Sequence, residues 1–177
     1  MSELFLKNLS EVFNFCIYYD QLKRPIGSGS ARARIAKQYL IILKDTLLKD
    51  LAQYNFPSLV ASISQGSGNF PRVPWISFHI KGRSVSNSLS VVICFAKDGR
   101  GVVAGLMCPT KSMSKLPLIK RLKVKSSAMN YLDVDGSPRT AYNNKFINPK
   151  EFYKDQILPK DLTSHLYDSL ISMYKSL

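Results

Sequence analysis

Hydrophobic residues in the first third of the chain recur at helical spacing. They stand three or four residues apart between positions 4 and 17, which predicts a helix over residues 3–18. A break at Pro25 and the run GSGS at 27–30 separates it from a second predicted helix over residues 31–51, with Ser30 as its N-cap. We expect the buried face of this second helix to consist of Ile35, Tyr39, Leu43, Leu47 and Leu51.

From position 59 the pattern changes from helix to strand. Short apolar or alternating runs predict strands over residues 59–63, 75–80, 89–96 and 102–107, and DGRG at 98–101 is typical of a hairpin turn. The run LSVVICFA at 89–96 is mostly apolar and rich in β-branched residues, so it predicts a central strand buried on both faces.

The last third of the chain mixes loop, strand and helix signals. Residues 110–121 favour a short helix that Pro117 interrupts, and KRLKVK at 120–125 alternates apolar with basic residues, as an edge strand does. A turn-rich loop follows over 133–139. The final predicted helix opens near Pro159, with Asp161 as N-cap and a buried face of Leu162, Leu166, Leu170 and Met173.

These elements predict one domain of 177 residues. Its expected class is α/β (α+β), with a central twisted mixed β-sheet flanked by N-terminal and C-terminal helices. Residues 1–52 form the helical part, 59–127 the sheet core with a basic surface, and 128–177 a loop and the C-terminal helix.

Positive charge is concentrated in the middle of the chain. The formal net charge is +13, and the segment between positions 51 and 132 holds eleven Lys and Arg residues against a single acid, Asp98. Such an asymmetry is typical of a protein with a polyanionic partner, although a solvated basic face is the alternative. The basic start of the second helix, around Arg32 and Arg34, has the same two interpretations.

Several kinds of chemistry have no signal in the sequence. The longest apolar runs are too short to span a bilayer, and the N-terminus has no signal-peptide pattern, so we expect a cytoplasmic protein without a membrane partner. The three cysteines lack zinc spacing and suggest reduced thiols. Without a P-loop, a carboxylate cluster or a His-rich site, we predict no metal, no cofactor, no catalytic residue and no enzymatic activity.

Residues 65–78, QGSGNFPRVPWISF, form the most distinctive segment. The two glycines allow a tight turn or a close approach to another molecule, and Pro71 and Pro74 stiffen the stretch before Trp75. Trp75 then has two possible roles. It is either a core anchor at the start of a buried strand, or a rigid aromatic presented to a flat ligand such as a nucleobase.

The same segment carries a family resemblance. GSGNFPRVPWI at 66–76, the strand VVICF, then KDG and a returning strand resemble the N-terminal DNA-binding domain of McrB, the specificity subunit of McrBC modification-dependent restriction systems. The resemblance continues through Tyr142, NKFI at 144–147, Tyr153, LP at 158–159 and MY at 173–174, and so spans residues 30–177.

The resemblance implies a domain that binds duplex DNA and flips a modified base, such as 5-methylcytosine, into a pocket. An AAA+ GTPase domain of the full-length protein and a McrC-like nuclease subunit would be its partners. The implied pocket residues are Trp75, Cys94 and Tyr142, and the implied DNA-probing loop comprises Gly66, Ser67, Gly68, Asn69, Phe70 and Arg72. Since Ser67 replaces an aromatic residue of some family members, Phe70 or Arg72 would intercalate. Expected phosphate contacts are Lys81, Arg83, Lys111, Lys115, Lys120, Arg121, Lys123 and Lys125.

Two other functions fit the same charge and aromatic content. An RNA-binding or single-stranded nucleic-acid-binding module without modification specificity would also combine basic residues with aromatic stacking. A protein-interaction adaptor with an acidic partner is the third possibility.

Overall fold

The computed structural model describes residues 3–22, 24–83, 85–108, 132–135, 142 and 145–176. The helix predicted at 110–121 and the edge strand predicted at 120–125 lie outside these ranges. The described elements are, in chain order, α1 (Glu3–Gln21), α2 (Ala31–Ala52), β1 (Leu59–Ile63), β2 (Trp75–Ile80), β3 (Ser90–Phe95), β4 (Gly101–Met107), β5 (Lys150–Tyr153) and α3 (Pro159–Lys175).

The five described strands form one sheet in the order β1-β2-β3-β4-β5. With two helices before the sheet and one after it, the predicted α+β class and the flanking helices are confirmed. The sheet is antiparallel at every described pair, however, and not mixed as expected. No described helix connects β1 to β4, and a parallel pair would need such a crossover. The short β5 was not predicted.

The sheet has a different neighbour on each face because successive side chains point in opposite directions. All three helices pack on one face, where Phe78, Ile93 and Phe95 belong to the main core. Val92, Cys94 and Val103 point to the other face and join a smaller core with residues of the 132–146 region. All six residues of β3 are buried, so the predicted two-sided central strand is confirmed.

Helix α2 begins as predicted, since the Ser30 Oγ accepts a hydrogen bond from the Ala33 N–H at 3.3 Å. Its buried face differs from the prediction at two positions: Ile35 is 50% exposed, and Tyr39 is only partly buried. The stripe that contains Leu43 continues towards the N-terminus through Leu40, Ala36 and Ala33. Helical periodicity places Ile35 outside this stripe, although Ile35 is the more hydrophobic residue.

Helix α3 buries the predicted apolar face of Leu162, Leu166, Leu170 and Met173. Its predicted N-cap is wrong, because the helix begins with Leu158 at the N-cap and Pro159 in the first turn. Proline fits there since its missing N–H would have no partner within the helix. Asp161 therefore lies in the first turn, where its negative charge favours the helix dipole.

The described helices include none that is long and apolar enough to cross a bilayer. The three cysteines, Cys16, Cys94 and Cys108, are all buried and free. Burial raises the pKa of each thiol, so the neutral form is favoured.

Two partly buried histidines make the fold sensitive to mild acid. Burial lowers the pKa of His165, whose Nε2 lies 3.0 Å from the Ala104 carbonyl oxygen, and burial also lowers the pKa of His79. Below about pH 6.5, the ordinary pKa of histidine, these two side chains bind protons in the unfolded chain but stay neutral in the folded chain. Acid therefore favours the unfolded state. We therefore expect the Tm to fall between pH 7.5 and pH 5.5, and His165→Gln to reduce that fall. An identical pH profile for this variant in thermal melts would contradict the prediction.

Candidate nucleic-acid interface

A cavity of about 210 Å³ lies on the sheet face opposite the helices. Strands β2, β3 and β4 each supply one wall residue, the β2–β3 connection supplies two, and the 132–146 region supplies the last. The volume is below the roughly 300–1,000 Å³ typical of pockets for drug-sized ligands, so the cavity suits a single flat ring. Among the described residues, the wall consists of Trp75, Val85, Ser86, Val92, Met107 and Tyr142.

Trp75 and Tyr142 form the aromatic part of the wall, and the structure brings these two predicted residues together. The indole N–H of Trp75 donates a hydrogen bond to the Tyr142 hydroxyl oxygen. Burial raises the pKa of Tyr142, the nearby Cys94 raises it further, and the hydrogen bond from Trp75 offsets part of the rise. The phenol is therefore neutral near pH 7, and its O–H remains a possible donor to a ligand.

The third predicted wall residue, Cys94, is not part of the wall. Cys94 lies directly opposite Trp75 in the β2–β3 pair and is completely buried, at 0% exposure. Its side chain belongs to the smaller core together with Val92 and Val103. Cys94 therefore packs next to Trp75 without lining the cavity.

Four wall residues were not predicted from the sequence. Val92 shares the sheet face of Cys94, so the period-two pattern of β3 could have identified it. Met107 stands at the end of β4 on the same face. No local signal marks Val85 and Ser86, because their place in the wall depends on how the β2–β3 connection folds over the sheet.

The predicted DNA-probing loop starts from the same point as the cavity. The Ser64 N–H donates to the Trp75 carbonyl at 2.9 Å, and the Trp75 N–H donates to the Ser64 Oγ at 3.0 Å. These two bonds close the excursion of residues 65–74. The segment 65–69 within it is exposed throughout. It is held at Gly68, whose carbonyl accepts hydrogen bonds from the N–H and the Oγ of Ser28.

Phe70 does not belong to the probing surface, which corrects the prediction. It is only 2% exposed, and its ring lies 5.0 Å from that of Phe15, measured between centroids. Its carbonyl also accepts a hydrogen bond from the Tyr19 hydroxyl at 2.9 Å. A ring fixed in the core between the loop and α1 cannot enter a base stack without unfolding the loop.

Arg72 is also attached to α1. Its Nη2 donates to the Leu22 carbonyl at 3.3 Å, and its guanidinium carbon lies 4.9 Å from the centroid of the Tyr19 ring. The side chain is half-buried. These contacts hold it against the protein, so the exposed part of the loop is the segment 65–69 and contains neither proposed intercalating side chain.

The structure describes two of the eight predicted phosphate contacts, Lys81 and Arg83. Lys81 and Arg83 are exposed at the start of the β2–β3 connection, which also supplies two wall residues of the cavity. Lys97 pairs with Asp133, and this bond raises the pKa of the lysine. The other six predicted phosphate contacts lie outside the described residues: Lys111, Lys115, Lys120, Arg121, Lys123 and Lys125.

Replacing each of the two loop glycines by alanine should lower fold stability by a different amount. Gly66 and Gly68 both have positive φ, 71° and 81°, but a Cβ on Gly66 would collide with the Asn69 carbonyl oxygen, whereas one on Gly68 would meet open space. We expect Gly68→Ala to cost about 1 kcal/mol of fold stability from backbone strain alone, and Gly66→Ala about 3 kcal/mol. Thermal melts of the two variants, run side by side, test the order. Equal losses would contradict the geometry of the loop.

Within the described ranges, no three His, Cys, Asp or Glu side chains lie close enough together to hold a metal ion. Comparison of the chain with protein-family models and with curated proteins finds no match.

Proposed function

We propose that this chain is a non-catalytic reader of modified bases in duplex DNA. One base, most simply a methylated cytosine, rotates out of the stack and enters the cavity beside Trp75 and Tyr142. Reading a methyl group outside the helix requires a few kcal/mol of unstacking, and ring stacking together with apolar contact offsets this cost.

The observation that carries the proposal is the composition of the cavity wall. Two aromatic side chains, joined by a hydrogen bond, line a space the size of a single ring. Val85, Val92 and Met107 supply an apolar remainder, which suits a methyl substituent. Protein cores are close-packed by side chains, so a space of this size is not expected in a region with a purely structural role.

Charge and loop position support the same function. The exposed 65–69 loop and the cavity share the Ser64–Trp75 junction, so a duplex seated on the loop would have its nearest base close to the cavity. Lys81 and Arg83 are exposed on the segment that completes the cavity wall. Contacts from such residues to phosphates would fix the position of the duplex without reading its sequence.

The proposed reader would supply specificity to a larger system. By its resemblance to the McrB domain, its partners are an AAA+ GTPase domain in the full-length protein and a McrC-like nuclease. The chain would work in the cytoplasm, where its three free thiols stay reduced.

The decisive experiment compares duplexes that differ in one methyl group. We expect the chain to bind a duplex with one 5-methylcytosine about 10-fold more tightly than the unmodified duplex, since one buried methyl contributes about 1 kcal/mol or slightly more. Fluorescence anisotropy at fixed salt measures both affinities. Equal binding of both duplexes, with tighter binding of single-stranded RNA, would favour the RNA-binding alternative. Absence of any nucleic-acid binding would leave the adaptor function.

A further inference from the structure

The sheet next to the cavity holds two buried hydroxyl groups without a partner. The Oγ atoms of Ser77 and Ser90 are inaccessible and have no hydrogen-bond partner in the structure as described. Both residues are almost completely buried, at 0% and 1% exposure. Such groups are rare because a hydroxyl loses its water on burial and normally gains a protein partner in exchange. They therefore require an explanation.

Both hydroxyls lie beside the cavity wall. Ser77 is directly opposite Val92 in the β2–β3 pair, and Ser90 is directly opposite Met107 in the β3–β4 pair. Val92 and Met107 are wall residues. Side chains directly opposite each other in a sheet share a face, with Cβ atoms about 5 Å apart. Ser77 also lies two residues after Trp75, on the same face of β2.

We propose that Ser77 and Ser90 are specificity-determining residues that hydrogen-bond the polar edge of a pyrimidine base in the cavity. This inference rests on the proposed base-reading function. A hydroxyl both donates and accepts, so two of them can match an edge that carries a ring nitrogen, a carbonyl oxygen and an exocyclic substituent. The ring would stack at Trp75. Neither serine is a wall residue of the cavity, so the ring would reach the hydroxyls only when neighbouring wall side chains shift. The volume of about 210 Å³ accommodates a pyrimidine such as 5-methylcytosine.

The arrangement predicts opposite effects on folding and binding. Without a ligand the hydroxyls are unsatisfied, so Ser77→Ala and Ser90→Ala should each raise the Tm by about 2–4 °C. Each should also weaken binding of a duplex with one 5-methylcytosine by about 3- to 10-fold, the worth of one hydrogen bond. A purely structural serine would not combine a gain in stability with a loss of affinity.

Ser169 provides a matched control. Its Oγ is also buried without a partner, but it lies on α3, which packs against the opposite face of the sheet. Ser169→Ala should leave DNA affinity unchanged. A second probe, a duplex with an abasic site at the target position, should bind the Ser77 and Ser90 variants as tightly as the unaltered protein, because the base edge is absent.

The results separate this inference from the function on which it rests. If Trp75→Ala weakens binding of the methylated duplex while Ser77→Ala, Ser90→Ala and the double variant all bind normally, the hydrogen-bonding role is wrong and the base pocket stands. If the affinity loss of the serine variants persists on the abasic duplex, the hydroxyls do not read the base, and the inference is overturned. If Trp75→Ala also has no effect, the proposed function itself fails.

Discussion

Replacement of Trp75 by alanine should weaken binding of a methylated duplex by about 1–3 kcal/mol, the usual contribution of one base–aromatic stack. The loss should be smaller for the unmodified duplex, because the methyl group gains from the cavity only when the base is inside it. Trp75 is half-buried, so its removal should cost less fold stability than the roughly 3–5 kcal/mol of a fully buried aromatic. Binding and thermal melting, both measured on the same variant, test the two statements together.

Two further variants make the test specific. Trp75→Phe keeps a flat ring but removes the N–H that bonds to Tyr142, so it should retain most of the stacking. Tyr54→Ala removes an exposed aromatic that packs on Tyr167 of α3, away from the cavity, and should leave binding unchanged. An unfolded Trp75→Ala protein, or a folded one that still prefers the methylated duplex, would rule out a stacking role for Trp75.

Salt should weaken DNA binding steeply, because the net charge of +13 is concentrated in one segment of the chain. If about five phosphates are contacted, the slope of log affinity against log salt is about −4.5, and affinity falls about 500-fold between 50 and 200 mM salt. The physical reason is the release of condensed counterions when lysine and arginine neutralise the phosphates. Titrations at four or more salt concentrations give the slope directly.

Each basic side chain that contacts a phosphate should contribute about 1 or less to the slope of log affinity against log salt concentration. Arg83→Ala and Arg121→Ala should weaken methylated and unmodified duplexes alike and make the slope shallower by about 1, because phosphate contacts carry no base information. Glu11→Gln, on the helical side of the sheet, is a control that should change little. A slope near zero for the unaltered protein would exclude a polyanionic partner and leave the adaptor function.

The elements of this fold were largely predictable because their signals are local. Helix α2 begins at its predicted cap, Trp75 opens β2, and β3 is the buried central strand that its β-branched residues indicate. Errors arose where a local signal competed with packing. Ile35 is the most hydrophobic candidate on its turn of α2, yet the contact with α1 selects the small side chains of Ala33 and Ala36.

In the candidate site, too, some features were predictable from local sequence and others depended on packing. Trp75 was singled out by its sequence context and Tyr142 by the family resemblance, but their hydrogen bond depends on a contact between segments 67 positions apart. Cys94 appeared equivalent to Val92 on the sequence, since both point to the same sheet face. Only the tertiary structure distinguishes them, since Val92 lines the cavity and Cys94, directly opposite Trp75, does not.

The sequence by itself determined the secondary structure of the described core, the charge asymmetry and the importance of the segment around Trp75, because spacing, composition and turn residues act over a few positions. The tertiary structure alone decided that every described strand pair is antiparallel, that Phe70 is a core residue, and that Val85, Ser86 and Met107 belong to the cavity wall. It also revealed the unpartnered hydroxyls of Ser77 and Ser90. These features depend on which distant segments meet, and pairing between distant segments leaves no periodic signal in the chain.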